Sequence, residues 1–436
     1  MLNAGQRIEL RIEKPAAGGR MIARHEGQVV LVLGAIPGER VLARIDRADR
    51  QLAFASTLEV AEPSPDRREP FVDPLCGGCL YAHIAYSRQL AIKAEIIKDA
   101  FVRLGRLETP SIEVAASPER GYRMRGRLYV QDGRTGFYRE GSHSLCDAAS
   151  TGLLSDAAVA SAQEMAGALL GDGIAVKSIE VAENLGGDQR ALHVETTETT
   201  ETTEATPGPR LEQSSLAALV RSLGLTGCSA RSGGSLITAL DPAVSDPLEA
   251  LTRGRVTSGV LRRSAQSFFQ ANRFLLPHLV TAVLDSVQGA GDVLELYAGV
   301  GLFSVSLAGT GRTAITAVEG DRASGADLAV NARPFAHAIR VVRDSVEAFL
   351  ERVQPGRAET ILVDPPRTGI SRAALTAIAR QHARQAIYVS CDPATMARDA
   401  RRLVDAGYAV TSMRAFDLFP NTPHVETLAV FERRET

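Results

Sequence analysis

The sequence predicts an α/β protein: a doubly wound, mainly parallel sheet over residues 262–436, a mixed α+β segment over 61–261, and a small β-barrel over 1–60. Three observations carry this prediction. After about Arg262, strand-like and helix-like segments alternate regularly. Residues 1–60 alternate apolar and polar side chains, with Gly and Pro between the runs. A Pro- and charge-rich link, AEPSPDRREPFVDP, separates these first 60 residues from the middle of the chain.

The barrel strands read as RIELRIE, QVVLVLG, ERVLARID and QLAFASTLEV. After the link comes the pair Cys76-Gly-Gly-Cys79, then a helix over Tyr86–Leu104 with apolar residues at helical spacing. ETTETTETTEATPGP, residues 195–209, has too little apolar content to bury and reads as a flexible acidic insertion. A helix is expected over Ser264–Val287, followed by strands DVLELYAG, TAITAVEG, IRVVRD, TILVDPP and QAIYVSCD. YAVTSMRAFDLFP and HVETLAVFER then close the sheet as a hairpin.

Bulk composition bounds the function. The net charge of −2 excludes a uniformly basic nucleic-acid binder, and the absence of Trp with only 5% aromatics disfavours recognition chiefly by stacking. Charge is local instead: residues 7–50 hold nine Arg or Lys against six acids, and residues 120–139 hold six Arg against one Asp. Such patches contact phosphates. Five cysteines in 436 residues do not make a disulfide framework, so reduced thiols are expected. MLNAGQRIELRIEKP lacks an apolar run of signal-peptide length, and no stretch approaches the ~20 apolar residues of a membrane span. A cytoplasmic monomer without membrane contact is the expectation.

In an open α/β sheet, ligands sit at the carboxyl ends of the strands. There the first strand turns through Gly299 and Gly301, the second ends at Glu319, the third at Asp344 and the fourth at Asp364. Glycines let the backbone approach a ligand, and an acid after the second strand accepts bonds from ribose hydroxyls. A nicotinamide site would carry a third Gly where Ser304 stands, so the order better suits a nucleoside-bearing methyl donor. Cys391 comes after the fifth strand, and Asp392-Pro393 starts a helix. A thiol at a helix N-terminus has more thiolate character. Carbon 5 of uracil is too weak a nucleophile to take a sulfonium methyl unaided, and a thiolate added at carbon 6 activates it. Glu426, in an apolar hairpin, is the candidate base, with a raised pKa suited to proton abstraction.

FFQAN, LELYAGVGLF, AVEGD, VDPPRTG, YVSCDPAT and FPNTPHVET, in that order, resemble the RNA 5-methyluridine methyltransferases of the RumA/TrmA type. The resemblance implies a class I (Rossmann-like) methyltransferase domain over 262–436. It also implies S-adenosylmethionine contacts at Gln270, Tyr297, Gly299, Gly301, Glu319, Asp344 and Asp364, with Cys391 as nucleophile and Glu426 as general base. Leu302 stands where the family carries an Asn. GGRMIARHEGQVVLVLGAIPGERVLARI resembles the TRAM domain, an OB-like RNA-binding barrel. Its presence points to the ribosomal branch and a uridine of 23S rRNA, with a tRNA uridine as the alternative. That branch also implies a [4Fe-4S] cluster, for which Cys76, Cys79 and Cys146 match three ligands; Pro70 stands where the fourth is expected, Asp73 is a substitute oxygen donor, and the alternatives are zinc held by the three thiols with His83 or the remnant of a lost cluster.

Two other readings are open. Asp364-Pro365-Pro366 resembles the DPPY motif of base amino-group methyltransferases, although Arg367 replaces the aromatic and Cys391 would then have no task. A non-catalytic RNA-binding protein on an inert methyltransferase fold would carry no need for the Cys391 and Glu426 motifs.

Overall fold

In the computed structural model, which describes residues 2–197, 211–354, 356 and 358–434, the first five strands close into a barrel. They are β1 (Arg7–Pro15), β2 (Met21–His25), β3 (Gln28–Leu33), β4 (Arg40–Ala48) and β5 (Leu52–Glu62), in the order β1-β2-β3-β5-β4. Alternate residues such as Leu10, Ile12, Val30 and Ile45 fill it, as a period of two requires. β2 adds to the four strands expected, because MIARH is too short to show an alternation.

α1 (Tyr86–Ala100) comes after the link and ends in a π turn at Phe101–Gly105. It serves two cores at once: Ile92 and Ile96 pack into the barrel, while Ile97 and Ala100 pack beneath the carboxy-terminal sheet.

The middle of the chain runs through β6 (Val114–Ala115), β7 (Arg125–Gln131), β8 (Arg134–Tyr138), β9 (Leu145–Asp147), α2 (Ala148–Thr151), α3 (Asp156–Gly171), β10 (Val176–Glu183), β11 (Arg190–Thr196), α4 (Gln213–Ser222), β12 (Gly227–Ser232), β13 (Ser235–Leu240), β14 (Ala243–Pro247), α5 (Leu248–Leu251) and β15 (Val260–Ser264). Seven of these strands make one sheet, β13-β12-β11-β10-β7-β8-β9, whose apolar core includes residues of α3 and α4. The acidic tract expected as an insertion starts at the end of β11; its residues 198–210 lie outside the described residues. β15 crosses the expected boundary at 261/262 and pairs with β14.

The remainder is α6 (Leu276–Ser286), β16 (Val293–Leu296), α7 (Leu302–Gly309), β17 (Ile315–Val318), α8 (Arg322–Asn331), β18 (Ile339–Val342), α9 (Val346–Arg352), β19 (Thr360–Val363), α10 (Arg372–Arg380), β20 (Gln385–Ser390), α11 (Pro393–Asp405), β21 (Tyr408–Phe416) and β22 (Glu426–Arg433). The sheet order is β18-β17-β16-β19-β20-β22-β21-β6, parallel from β18 to β20, with β22 antiparallel to both its neighbours. All five expected parallel strands and the closing hairpin are present. The short edge strand β6, contributed from the middle of the chain, pairs with β21.

The helix expected over 264–287 is a helix only from Leu276. Pro277 starts it, and the Asn272 carboxamide accepts from the Phe274 and Leu275 amides, so Phe268–Asn272 forms a loop instead. Among the described residues no helix is long and apolar enough to cross a membrane.

Candidate active site

The sheet order reverses between β16 and β19, and the crevice at their carboxyl ends is where a doubly wound sheet binds ligands. Register decides what meets there. Leu296 pairs with Val318 and with Val363, so the next residues Tyr297, Glu319 and Asp364 leave the sheet at one level. Ser390 pairs antiparallel with Thr427, and continuing that register sets Cys391 opposite Glu426. The chain direction of β22 thus brings a residue from the start of a strand to the edge formed by strand ends.

The turn after β16 is built for a ligand. Tyr297 adopts φ +61°, a left-handed conformation that a bulky residue holds only when its surroundings impose it. Gly299, at φ +58°, has nothing within 4 Å of where a Cβ would stand, so its backbone faces open space. Gly301 answers to packing instead: at φ +90°, a Cβ there would meet Leu328 at 2.7 Å. Glu319 accepts from the Gly299 amide (2.7 Å) and the Asp321 amide (2.6 Å), tying the second strand to the loop. Burial raises its pKa against those bonds. Gln270 donates to Asp364 at 3.5 Å, while burial pushes that carboxyl up to about 7.

Asp344 stands apart. It is paired with Arg352, accepts from the Ser345 amide, and has its pKa lowered by them.

One acid gave no sign in the sequence. Glu295 sits inside β16, 2% exposed, with Oε2 lacking a partner among the described residues. Burial pushes it up to about 8, opposed by Ser304 and reinforced by Asp364 and Glu319. Its place in an apolar strand gave no separate signal. Between the ordinary carboxylate range and pH ~8 the folded state holds a proton that the unfolded state has lost, so stability falls as pH rises across that window. Glu295→Gln is therefore expected to raise the melting temperature at pH 8 and change it little at pH 5; equal shifts at both would contradict this.

The second half of the site gathers Cys391, Glu426, Arg367 and His424. Contrary to the expectation from its place at a helix start, the Cys391 thiol is not eased toward ionisation. Asp392 caps α11 with its own side chain, spending the helix N-terminus on the Thr395 amide (2.7 Å). Burial, with Glu426 and Asp364 nearby, pushes the Cys391 thiol up to about 12. Arg367 is the opposing influence on both Cys391 and Glu426. Glu426 is 1% exposed, its Oε1 has no partner among the described residues, and burial and Asp364 raise its pKa well above the usual range. Burial and nearby Arg367, Lys93 and Arg123 push His424 down to about 4, leaving it neutral beside Phe419. The signal for Arg367 was its place after Asp364-Pro365-Pro366, which in the sequence served only to set aside another motif.

The other cysteines form a separate group. Cys76 and Cys146 lie against each other, with Cα atoms 5.9 Å apart. β8 brings them together: Cys146 on β9 pairs with Phe137, and Cys76 bridges Arg139. Cys79, buried in the same apolar cluster, has its thiol pushed up to about 12 by burial. Asp73 is held by Arg139 (2.7 Å), and His83 Nε2 lies 3.3 Å from the Ala35 carbonyl. Among the described residues no three or more His, Cys, Asp or Glu side chains are arranged to hold a metal. Cys76, Cys79 and Cys146 share one buried cluster and supply three of the four thiolates that a [4Fe-4S] site takes, with the fourth donor unassigned.

The basic stretch 120–139 divides. Glu180 takes Arg125 and Arg127, and Asp73 takes Arg139. Arg120 lies over Phe71, and Arg123 over Phe137 and Phe419, bordering the loop that leads to Glu426.

Comparisons with known proteins agree with this geometry. Residues 252–434 match the model of the tRNA (Uracil-5-)-methyltransferase family, and residues 2–58 match the TRAM domain. An uncharacterized RNA methyltransferase of Streptomyces coelicolor is 31% identical, over 98% of this chain and 93% of its own length. A 23S rRNA (uracil(1939)-C(5))-methyltransferase of Aeromonas hydrophila is 28% identical, over 98% and 97%. The crystal structure of the tRNA (uracil-54, C5)-methyltransferase of Pyrococcus abyssi, in complex with S-adenosyl-L-homocysteine, superposes with a TM-score of 0.74 at 22% identity, covering 97% and 99% of the two chains.

Proposed function

The chain belongs to the RNA 5-methyluridine methyltransferases, which methylate carbon 5 of a uridine in RNA with S-adenosylmethionine, and we propose that Cys391 and Glu426 perform the covalent chemistry, on a uridine of tRNA. The observation that carries the residue roles is the β20–β22 register, which sets a thiol opposite a buried, unpartnered carboxylate at the edge of the ligand crevice.

The crevice fits the methyl donor. Gly299 offers open backbone, Glu319 an acid at ribose position, and Glu295 and Asp364 buried carboxyls suited to a cationic ligand. Tyr297, Gln270 and Gly301 complete that wall. S-adenosylmethionine, when bound, supplies the methyl group as an electrophile. Arg367 favours the thiolate of Cys391, which adds to carbon 6 of the uracil and places electron density on carbon 5. Once carbon 5 carries the methyl, the Glu426 carboxylate takes the carbon-5 proton. The electron pair released re-forms the 5,6 double bond and expels the thiolate. Burial raises the proton affinity of Glu426, which makes its carboxylate form a stronger acceptor for the carbon-5 proton.

The tRNA assignment is supported by the description of the family model that matches 252–434. The barrel does not separate the two branches, because a tRNA enzyme matches this chain over 97% of its length, barrel included. Ribosomal RNA is the second reading, favoured by the Aeromonas relative that acts on 23S rRNA. Mapping 5-methyluridine in both RNAs from cells lacking the protein tests the assignment. Loss from tRNA alone is the expected result; loss from 23S rRNA alone would replace it with the second reading.

A further inference from the structure

The loop 417–425, between β21 and β22, delivers Glu426, yet little of what fixes it comes from its own sheet. Asn272 donates to the carbonyls of Asp417 (3.5 Å) and Leu418 (3.2 Å). Lys93 donates to the carbonyl of Phe419 (3.1 Å), the Tyr122 hydroxyl to that of Pro420 (3.4 Å), and the Tyr81 amide to that of Asn421 (2.8 Å). Successive carbonyls of the loop are thus claimed by groups from the segment before α6, from α1, from the middle of the chain and from the residues just before α1.

Two side chains of α1, one turn apart, also grip the loop's own side chains. Lys93 pairs with Asp417 at 2.5 Å, and both are fully buried. Gln89 donates to Asn421 Oδ1 (3.0 Å) and accepts from the Asn421 amide (2.9 Å), while Arg68 donates to the same Oδ1 (2.8 Å). Asn421 sits at φ +64°, a left-handed conformation that Asn adopts more readily than most residues. The side chains of α1 also pack into the barrel and beneath the sheet, so its position is fixed independently of the loop. A lysine and an aspartate with no solvent exposure keep their charges only against each other, which makes the pair all-or-none rather than adjustable.

We propose that Lys93, with Gln89 beside it, is a positioning residue for Glu426: α1 latches the 417–425 loop and so holds the carboxylate opposite Cys391. Cys391 itself lies between β20 and α11, outside the latched loop. Loss of the latch therefore strikes proton removal from carbon 5 and spares thiolate addition. The inference rests on the roles proposed above for Cys391 and Glu426.

The test uses the full chain with S-adenosylmethionine and unmodified tRNA and 23S rRNA transcripts. It compares wild type, Lys93→Met and Gln89→Leu for turnover, cofactor affinity, thermal unfolding and denaturation-stable RNA–protein adduct. In Lys93→Met, turnover is expected to fall about 100-fold, cofactor affinity to stay within about twofold, and adduct to accumulate above the wild-type level. Gln89→Leu is expected to show the same pattern at smaller size, and it decides the matter if Lys93→Met does not fold. Wild-type turnover in the folded variants, or parallel loss of adduct and turnover, would overturn the latch while leaving the chemistry of the site intact. A wild-type protein that methylates but never forms an adduct through Cys391 would overturn the covalent mechanism and the latch with it.

Discussion

Cys391→Ala abolishes methylation, by about four orders of magnitude or more, while S-adenosylmethionine affinity stays within about twofold. The thiol has one task in the proposed chemistry, attack on carbon 6, and nothing else at that edge can replace it. Ser390 is buried with its hydroxyl directed to the Asp392 carbonyl (3.2 Å), and Glu426 and Asp364 are carboxyls to which the proposed chemistry gives other tasks. Without carbon–sulfur bond formation, carbon 5 is left as the unactivated end of an electron-poor ring. Cys391 is only partly buried, so its truncation costs little packing, and the melting temperature should move by no more than a few degrees. Steady-state turnover and cofactor titration check both halves. Residual turnover within about 100-fold of wild type would remove Cys391 from the mechanism.

Glu426→Gln should stall the reaction after the bond to Cys391 has formed. The amide occupies the same buried place but cannot take the carbon-5 proton, so turnover falls about 10²–10⁴-fold and RNA stays attached to the protein under denaturing conditions. Linkage adds a second consequence. The raised carboxyl of Glu426 holds a proton in the folded state that the unfolded state gives up above the ordinary carboxylate range, so it lowers stability as pH rises. The Gln variant is therefore expected to melt higher than wild type at pH 8 and about equally at pH 5. Loss of turnover without adduct would show instead that Glu426 acts at or before thiolate addition.

The sequence made the cofactor edge legible because parallel strands deliver their carboxyl ends to one side, so Gly299, Glu319, Asp364 and Cys391 could be placed together from the order of their motifs alone. Glu426 needed one more step, the reversal of chain direction in the closing hairpin. The features that stayed hidden depend on contacts that no local pattern encodes. Lys93 and Asp417 lie 324 residues apart in the chain, and each looks like a surface charge until α1 is docked. Glu295 is concealed by the apolar residues around it, and its meaning appears only when all its neighbours prove buried. The apolar spacing at 264–287 promised one helix, but the Asn272 carboxamide and Pro277 delay it to Leu276 and free Gln270 to reach Asp364. The thiol of Cys391 shows the reverse failure: position at a helix start argued for easy ionisation, and burial with two nearby carboxyls outweighs it.

The most direct test of the covalent account is peptide mass spectrometry on protein incubated with S-adenosylmethionine and tRNA transcribed with 5-fluorouridine. Fluorine cannot leave carbon 5 as a proton does, so elimination is blocked and the thiolate stays bonded to carbon 6. The account predicts a methylated fluorouridine carried on the peptide containing Cys391, and none with Cys391→Ala. Turnover of unmodified RNA by a protein that forms no such adduct, or an adduct on Cys79 or Cys228, would contradict it.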